Sequence, residues 1–464
     1  MKESLIFIDE DSSAAPVRVS PIDHKIDPAR ISENAWRVLK GLNKAGFEAF
    51  LVGGAVRDLL LDRHPKDFDI ATDATPEEVR KVFRNARLIG RRFTIVHVRY
   101  GREIIEVATF RASHADAENS SQARSDGLRL IRDNVYGELD TDVWRRDFTA
   151  NALYYDGRDE SIVDYVNGIA DINDRILRII GDPETRFEED PVRMLRALRF
   201  AGKLDFKIDQ AYEPLLTSQA SLLKDGSPAR LFDEVIKLFH GGAAQKTFDL
   251  LRQYNMFRYF FPGAEQQFVR ENDGQFLALV NAALESTDKR VAQGKPVTPA
   301  FLVAVMLWND VRYFAEQGIG KKVPPMQSWL NAGQRVVSKQ SSSLSIPRRF
   351  SLFAKEMWVL QTKFSARRGK RALSVLVHVR FRAAYDFLCL RYEAGEQELA
   401  DDVTFWTDIQ ELSEQEQLKL LQLKDRRHID RPNGGGQDKN GNKKKTGKSR
   451  AQGRRRKRSR RKKS

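Results

Sequence analysis

The chain has 464 residues, of which 41% are hydrophobic, and this length predicts about two to four domains with buried cores. Its single cysteine, Cys389, excludes an internal disulfide framework and favours a reducing compartment, so we expect a cytoplasmic protein. No apolar run is long enough to cross a membrane, and we expect neither a membrane span nor a signal peptide.

The net charge of +15 comes from the end of the chain. Residues 431–464 hold 16 Lys or Arg and one acid, Asp438. Subtracting them from the totals of 79 and 64 leaves 63 basic and 63 acidic residues elsewhere. Because the segment also lacks large apolar residues, we expect it to be disordered when free and to contact a polyanion.

The first predicted elements lead to a glycine pair. Residues 1–27 are polar and interrupted by prolines, which predicts a flexible segment, whereas residues 28–42 have the apolar spacing of a packing helix. A predicted apolar strand then ends at Gly53 and Gly54, just before a short helix. A turn of this kind presents backbone N–H groups to which a phosphate can bind.

Two carboxylates follow on the next predicted strand. Asp67 and Asp69 are two positions apart, so both side chains point to one face and can share a hard cation. By itself the pair is weak evidence, because acids near strand ends commonly cap turns. Support comes from Arg57 and Asp58 on the intervening helix and from Glu106, a carboxylate within an apolar strand. The alternative for Glu106 is a surface acid on an edge strand.

The remaining elements predict a mixed sheet followed by a helical body. Three β-like stretches lie within residues 86–110, and the element order fits a sheet with helices on one side. Residues 111–131 are polar and are predicted to form a mobile loop. The segment RRDFTANAL is predicted to start a helix. The alternative to a functional role for Asp147 is that its side chain only caps this helix. From residue 185 to about residue 424 the pattern is almost entirely helical.

Five motifs occur in order along residues 46–240: LVGGAVRD, KDFDIAT, EVATFR, RRDFTANAL and EEDPVRMLRALRF. In this order and spacing they resemble the class II nucleotidyltransferases of the polymerase β superfamily, which include bacterial poly(A) polymerases and CCA-adding enzymes. The resemblance implies an α+β fold with an N-terminal mixed α/β nucleotidyltransferase domain and an all-helical body. Its predicted parts are the head at 28–170, a base-recognising neck at 171–240, an RNA-binding body at 241–430 and the disordered tail at 431–464.

The resemblance also implies the roles of individual residues. Asp67 and Asp69 would hold two Mg²⁺ ions, with Mn²⁺ as a substitute, and Glu106 and Asp147 would complete the catalytic acids. The nucleotide-binding residues would be Gly53, Gly54, Arg57, Arg145, Asn151, Asp190, Arg193 and Arg196.

Helical spacing supports some of these roles. Asn151 lies four residues after Asp147, which predicts one face of a helix. Asp190 and Arg193 are three apart and are predicted to share a face as the pair that recognises the base, although Asp190 before a proline is also a sound N-cap. Arg230 and Glu234 are predicted to form an i,i+4 pair, a structural feature of a later family motif.

Within the family, residues 88–98 and 365–391 resemble the poly(A) polymerase branch. Arg91 and Arg92 carry the first of these likenesses, and an ordinary solvated turn is the alternative. The resemblance then implies template-independent addition of AMP from ATP to RNA 3′ ends. The alternatives are a CCA-adding enzyme and a catalytically idle RNA-binding scaffold.

The basic tail fits an enzyme that acts on many RNA 3′ ends, because phosphate binding is independent of sequence. A solubility appendage or non-specific ribosome binding is the alternative. We expect ATP, RNA and the RNA-degradation machinery as partners, but neither DNA nor a membrane. The predicted RNA-binding residues of the tail are Arg454, Arg455, Arg456, Lys457, Arg458, Arg460 and Arg461.

Overall fold

The computed structural model describes residues 15–90, 94–112, 124–126, 129–132, 135–270 and 274–422. Arg91, Arg92, residues 113–123 and 127–128 of the predicted loop, and the basic tail lie outside these ranges, so the predictions made for them stay predictions. The loop prediction was wrong near its end, where Arg124–Asp126 and Arg129–Arg132 pair as two short strands. Among the helices that are described, none has the length and apolar character needed to cross a membrane.

In the described part of the chain, eight strands form one mixed sheet in the order β1-β10-β9-β2-β3-β6-β5-β4, beside two short two-stranded ladders, β7-β8 and β11-β12. The strands are β1 Val17–Val19, β2 Ala49–Val52, β3 Asp69–Thr72, β4 Ala86–Ile89, β5 Ile95–Tyr100, β6 Glu103–Thr109, β7 Arg124–Asp126, β8 Arg129–Arg132, β9 Leu153–Asp156, β10 Ile162–Asp164, β11 Ile176–Leu177 and β12 Lys207–Ile208.

The helices between residues 21 and 239 are α1 Pro21–His24, α2 Glu33–Lys44, α3 Gly54–Leu60, α4 Pro76–Val82, α5 Leu139–Trp144, α6 Gly168–Asp174, α7 Pro183–Glu189, α8 Val192–Leu204, α9 Glu213–Ser218 and α10 Pro228–Phe239. Those of the body are α11 Ala244–Gln253, α12 Phe257–Phe260, α13 Pro262–Arg270, α14 Gln275–Ala292, α15 Pro299–Met306, α16 Trp308–Gly320, α17 Pro325–Gln340, α18 Arg348–Gln361, α19 Gly369–Leu376, α20 Phe381–Glu393, α21 Ala400–Asp408 and α22 Glu414–Leu420. Short 3₁₀ turns occupy Pro28–Arg30, Thr149–Asn151, Ala220–Asp225, Gln397–Leu399 and Ile409–Glu411. The predicted α/β head followed by a helical body is therefore confirmed.

Strand register brings the acidic residues together. β3 and β6 are parallel, and their pairing sets Asp69 opposite Glu106. β5 lies antiparallel to β6 and sets His97 opposite Glu106. On the other side β2 is antiparallel to β3, with Val52 opposite Asp69, so the glycine pair that follows Val52 comes next to the carboxylates.

The sheet buries apolar side chains on both faces. One set, which includes Leu51 and Ile70, joins the large core formed with α2 and α4. The alternate positions Phe50 and Val52 join a smaller cluster that contains Val143 of α5. The prediction of helices on one side was therefore wrong, because α5 covers part of the second face.

The start of α4 is specified by its own residues. The Thr75 hydroxyl accepts from the Glu78 N–H, and the Glu78 carboxylate accepts from the Thr75 N–H at 2.8 Å. Pro76 occupies the first turn. This reciprocal capping box satisfies two N–H groups that a bare helix end would leave unpaired.

The prediction of a flexible N-terminus was wrong for the segment between residues 17 and 24. β1 pairs with β10, and Arg18 forms an ion pair with Asp156 at 3.6 Å. The His24 ring is buried, and its Nε2 lies 2.8 Å from the Glu160 carbonyl oxygen. Polar contacts with distant residues order this segment, and hydrophobic periodicity does not detect them.

Candidate active site

A cavity of about 420 Å³ lies between the sheet and α8. Nine of the predicted residues line it: Gly53, Gly54, Arg57, Asp67, Asp69, Arg145, Asp147, Asn151 and Arg196. The lining does not include Glu106, Asp190 or Arg193. The volume is in the range of small-molecule sites, and most of the predicted site therefore converges.

A cavity of about 490 Å³ lies elsewhere, between the end of α8 and α11. Its charged side chains are largely satisfied by one another, as in the 2.9 Å ion pair of Lys246 with Asp205. Tyr254 donates to Glu213 at 2.7 Å. The smaller cavity, which the aspartate pair lines, is therefore the candidate site.

The acidic end of the cavity is a cluster of like charges. Asp67 is exposed and Asp69 is half-buried. Burial, followed by the negative charges of Glu106 and Asp67, raises the pKa of the Asp69 carboxyl to about 6. The Glu106 side chain is 49% exposed, and its Oε1 lies 3.3 Å from His97 Nε2. Glu106 is thus a solvent-facing acid on an interior strand, beside the cavity rather than on its wall.

These carboxylates fit a divalent cation. Their mutual repulsion is the feature that a bound cation relieves, and hard carboxylate oxygens are the donors that Mg²⁺ takes. Within the described ranges no group of three or more His, Cys, Asp or Glu side chains converges to hold a metal. A site built on Asp67 and Asp69 suits Mg²⁺, because this ion is usually bound by one or two carboxylates plus water and substrate phosphates.

The glycine pair forms the turn into α3. Gly53 has φ +70° and ψ −130°, a backbone conformation that residues other than glycine rarely adopt. No side chain caps α3, and the helix begins at Gly54. The first N–H groups of α3 are left for solvent or a ligand at the cavity wall, as the turn predicts.

Arg57 and Asn151 line the cavity and contact each other. Arg57 is 3% exposed, pairs with Asp58 at 2.7 Å and donates to the Asn151 side-chain oxygen. Its guanidinium also lies 5.3 Å from the Phe200 ring centre. The two predicted nucleotide-binding residues are thus fixed in place before any ligand arrives.

The predicted helix across RRDFTANAL was wrong. α5 ends at Trp144, and Asn151 lies in a separate 3₁₀ turn, so Asp147 and Asn151 do not share a helix face. Phe148 instead forms a β-bridge to Ile179, which interrupts any helix here.

Arg146 is the centre of a buried network on the cavity wall. Its guanidinium binds Asp142 at 2.8 Å and the Tyr154 hydroxyl at 2.7 Å. Burial alone would raise the pKa of Asp142, but the charges of Arg146 and Arg111 hold it below its usual value. The neighbouring Arg145 is buried and also lines the cavity.

Asp147 pairs with two arginines of α8. Its carboxylate lies 3.0 Å from Arg193 Nε and 2.6 Å from Arg196 Nη2. Burial would raise the pKa of Asp147, but the charges of Arg196 and Arg193 outweigh burial and lower it. The predicted role of Asp147 as a catalytic acid stays a prediction, and the contacts of Asp147 are those of a residue that joins the head to α8.

Asp190 and Arg193 are not the paired face that their spacing predicts. Asp190 has φ −148° and ψ 91° and precedes α8, so helical spacing does not apply to it. Its carboxylate binds Arg230 at 2.5 Å, whereas Arg193 is 7% exposed and also donates to Glu189 at 2.7 Å. Both lie off the cavity wall, and their predicted contact with the base stays a prediction.

The predicted pair of Arg230 with Glu234 was also wrong. Glu234 binds Lys237 at 2.7 Å, while Arg230 turns to Asp190 across the gap between α10 and the start of α8. A contact between elements competes here with the local i,i+4 contact, and spacing along one helix cannot show it.

The sequence-based reasoning missed six residues of the cavity wall: Lys66, Arg111, Arg146, Arg199, Phe200 and Lys203. Three of them, Arg199, Phe200 and Lys203, share a usable signal with the predicted Arg196. Arg196, Arg199, Phe200 and Lys203 recur at helical spacing and therefore lie on one side of α8. Arg146 was passed over in favour of Arg145, although both stand in the same motif.

Family comparisons agree with this geometry. Three protein-family models match the chain. Residues 49–178 match the model described as "Poly A polymerase head domain", and residues 205–268 match "Probable RNA and SrmB- binding site of polymerase A". Residues 321–463 match "Polymerase A arginine-rich C-terminus". The poly(A) polymerase I of Escherichia coli O6:H1 is 43% identical over 418 residues, which cover 89% of this chain and 90% of that protein. The chain belongs to the poly(A) polymerase I family. Its activity class is polynucleotide adenylyltransferase.

CCA-adding enzymes are similar in sequence to about half of this poly(A) polymerase family member. That of Lactobacillus helveticus is 42% identical over 216 residues, which cover 47% of this chain and 52% of that protein. The solved CCA-adding enzyme of Bacillus stearothermophilus in complex with CTP has a TM-score of 0.50 and 25% identity, covering 81% of this chain and 83% of that chain. The two groups share the fold, while the similarity over most of the length is to poly(A) polymerase I.

Proposed function

We propose that this chain transfers AMP from ATP to the 3′ hydroxyl of RNA, without a template, in the cavity between the sheet and α8. One observation supports this most directly: the aspartate pair, the glycine turn and several arginines line a single cavity. Carboxylates suit a cation at one end, and guanidinium groups suit a polyphosphate at the other.

Asp67 and Asp69 would hold Mg²⁺, as a two-ion site in which Mn²⁺ is a substitute. When bound, the metal would activate the RNA hydroxyl and neutralise charge on the transferring phosphate and the leaving pyrophosphate. Gly53 and Gly54 present backbone N–H groups to the triphosphate, and Arg145 adds positive charge at the wall. Catalysis then consists mainly of positioning and charge neutralisation.

Several residues act around this centre. Glu106 adds negative charge beside Asp69 and so favours the binding of a cation there. Arg57 and Asn151, joined by their hydrogen bond, face the sugar and triphosphate. Asp190 and Arg193 are assigned to the base by the family resemblance alone.

The RNA acceptor would bind sequence-independently through the basic tail, because its surplus of positive charge suits phosphates. The cytoplasmic location and contact with the RNA-degradation machinery rest on composition and resemblance.

Incubation with a generic RNA and each NTP separately tests the proposal. Long tails from ATP alone support it, whereas addition limited to C, C and A on tRNA would identify a CCA-adding enzyme. RNA binding without any incorporation would identify an idle scaffold.

The aspartate pair is tested by Asp67→Ala and Asp69→Ala, with Asp73→Asn as the matched control. Asp73 follows the same strand but accepts from the Glu48 N–H at 2.8 Å, away from the cavity. Both alanine variants should abolish incorporation and keep RNA binding, and the control should retain both. Full incorporation by an alanine variant would remove that carboxylate from the mechanism.

A further inference from the structure

Part of the sheet is open to solvent beside the aspartate pair. The apolar cluster under α5 takes in residues of β2, β3, β9 and β10 and, within the described ranges, none of β4, β5 or β6. Along β5 and β6, Val96, Val98 and Ile105 point into the large core on the other side. Because side chains alternate along a strand, the positions between them form an open face of β4, β5 and β6.

Strand register gives this face a polar row that ends at Asp69. Asp69 of β3 lies opposite Glu106 of β6, and Glu106 lies opposite His97 of β5. His97 in turn lies opposite Arg87 of β4, at the edge of the sheet. The row therefore runs from the predicted metal site to the outer strand, across the open face.

Cations and apolar side chains flank this row. Ile104 lies opposite Arg99 on one side of it, and Ile95 lies opposite Ile89 on the other. Arg99 is exposed, and Ile89 is 43% exposed. Exposed apolar side chains grouped with charges are typical of an interaction surface.

The two arginines of the open face have no counter-charge. Arg87 and Arg99 are both exposed, and no residue that the structure describes forms an ion pair or a hydrogen bond with either side chain. Glu106 is the one acid among the strand positions of this face, and it lies at the end of the row beside Asp69, where a bound cation offsets its charge. The outer part of the face is therefore positive and suits phosphates.

The strand order places two reactants on opposite sides of Asp69. In the order β2-β3-β6-β5-β4, the glycine turn that follows β2 lies on one side of β3, and the open face lies on the other. In phosphoryl transfer the attacking oxygen and the leaving pyrophosphate are roughly in line, on opposite sides of the phosphorus. With the triphosphate at the glycine turn, the attacking hydroxyl has to approach from the side of β6.

We propose that the open face of β4, β5 and β6 binds the last nucleotides of the acceptor RNA as a single strand and leads its 3′ hydroxyl to Asp69. Arg87 and Arg99 bind backbone phosphates, while the isoleucines pack against bases and riboses without selecting a sequence. The unpaired cations and the continuity with the reacting centre favour RNA over a protein segment. This assignment deepens the proposed function and rests on it.

Steady-state kinetics with a short RNA acceptor of about six nucleotides test this surface, using the full chain with Mg²⁺. Combining Arg87→Ala with Arg99→Ala should raise the KM for RNA about tenfold and leave the KM for ATP unchanged. The slope of the logarithm of kcat/KM for RNA against the logarithm of the salt concentration should flatten by about 1.4, which is about 0.7 for each of two phosphates. Ile89→Ser should raise the KM for RNA without changing this slope, because isoleucine contacts no phosphate.

Arg80→Ala is the matched control. Arg80 is exposed on α4, which packs against the opposite face of the sheet, so this variant should keep the wild-type KM for RNA and the wild-type slope. An equal effect in the control, or an unchanged KM for RNA in the double variant, would overturn the proposal.

Photocrosslinking gives a readout that needs no turnover. An acceptor with a photoreactive thiouridine as its last nucleotide is irradiated on the full chain with Mg²⁺ and a non-hydrolysable ATP analogue. The crosslinks should fall within residues 86–109, and the double arginine variant should lose them while Arg80→Ala keeps them. Crosslinks that leave these strands out would overturn the proposal and assign the open face to a protein partner.

The same crosslinks separate this proposal from the proposed function. A wild-type chain that crosslinks through β4, β5 or β6 but never incorporates AMP would refute the proposed function and still establish the RNA surface. A chain that makes long tails from ATP but crosslinks elsewhere would refute the RNA surface alone.

Discussion

Replacing Asp147 with asparagine tests whether this residue is a catalytic acid or a link between the head and α8. The change leaves Arg193, which is 7% exposed, without one of its two carboxylates. Removing one partner of a buried ion pair costs about 3–5 kcal/mol. Because Glu189 still binds Arg193 at 2.7 Å, we expect the lower end, about 3 kcal/mol.

The second partner contributes less. The Arg196 side chain is 38% exposed, and pairs with exposed partners are worth about 0–1 kcal/mol. Asp190→Asn is the matched control, because Asp190 pairs with Arg230, whose side chain is 45% exposed. The control should therefore lose less than about 1 kcal/mol.

Thermal unfolding between pH 7 and pH 3 measures the effect of Asp147→Asn. The lowered pKa of Asp147 stabilises the fold above the ordinary carboxyl pKa of about 4, and this stabilisation disappears as pH falls through the lower folded value. The variant should melt at lower temperature at pH 7, and its difference from wild type should shrink in acid. An unchanged melting temperature at pH 7 with incorporation abolished would refute this reasoning and make Asp147 a catalytic acid.

Three further perturbations test local features. Gly53→Ala should cost about 1–3 kcal/mol from backbone strain at φ +70°, because the new Cβ itself would meet only an ordinary contact, 3.7 Å from Arg146. Gly54→Ala, at a helical position, should keep the stability of the wild type, and equal melting temperatures for the two variants would contradict this. Thr75→Ala removes the capping box and should lower the free energy of unfolding by about 1 kcal/mol, measured by thermal unfolding, without altering ATP binding. Unchanged stability would show that the cap is dispensable. Truncation after residue 430 should weaken RNA binding and make it less dependent on salt. The slope of the logarithm of the binding constant against the logarithm of the salt concentration should flatten by about 0.7 for each RNA phosphate that the shortened chain no longer binds. An unchanged slope would show that the tail does not bind RNA.

The acidic end of the site was predictable because strand geometry is simple. The spacing of two predicts Asp67 and Asp69 on one side, although Asp67 lies just before β3, and a parallel neighbour with the right register brings Glu106 beside Asp69. The register itself could not be derived from the sequence, since it depends on which strands pair. The apolar residues around Glu106 drew attention to this carboxylate, the family resemblance assigned it a catalytic role, and the register of the strands explains its position beside Asp69.

The neck was predicted less well because spacing was applied beyond the helix. Asp190 lies one residue before Pro191, the N-cap residue of α8, and therefore outside the helix. The exact start of a helix is the least certain feature of a sequence pattern. Once Asp190 leaves the helix, Arg230 of α10 becomes its partner and Arg193 turns to the head. These are contacts between distant segments, which local periodicity cannot rank.

The same ion pairs bear on how a nucleotide reaches the cavity. Asp147 of the head holds Arg193 of α8, so moving the head away from α8 must break a buried pair. At a cost of about 3 kcal/mol, the separated state would make up less than about 1% of the molecules. Arg57 and Asn151 are likewise joined before any ligand binds. The cavity wall between the sheet and α8 is therefore already assembled when a nucleotide binds. None of the binding free energy is needed to bring the head and α8 together.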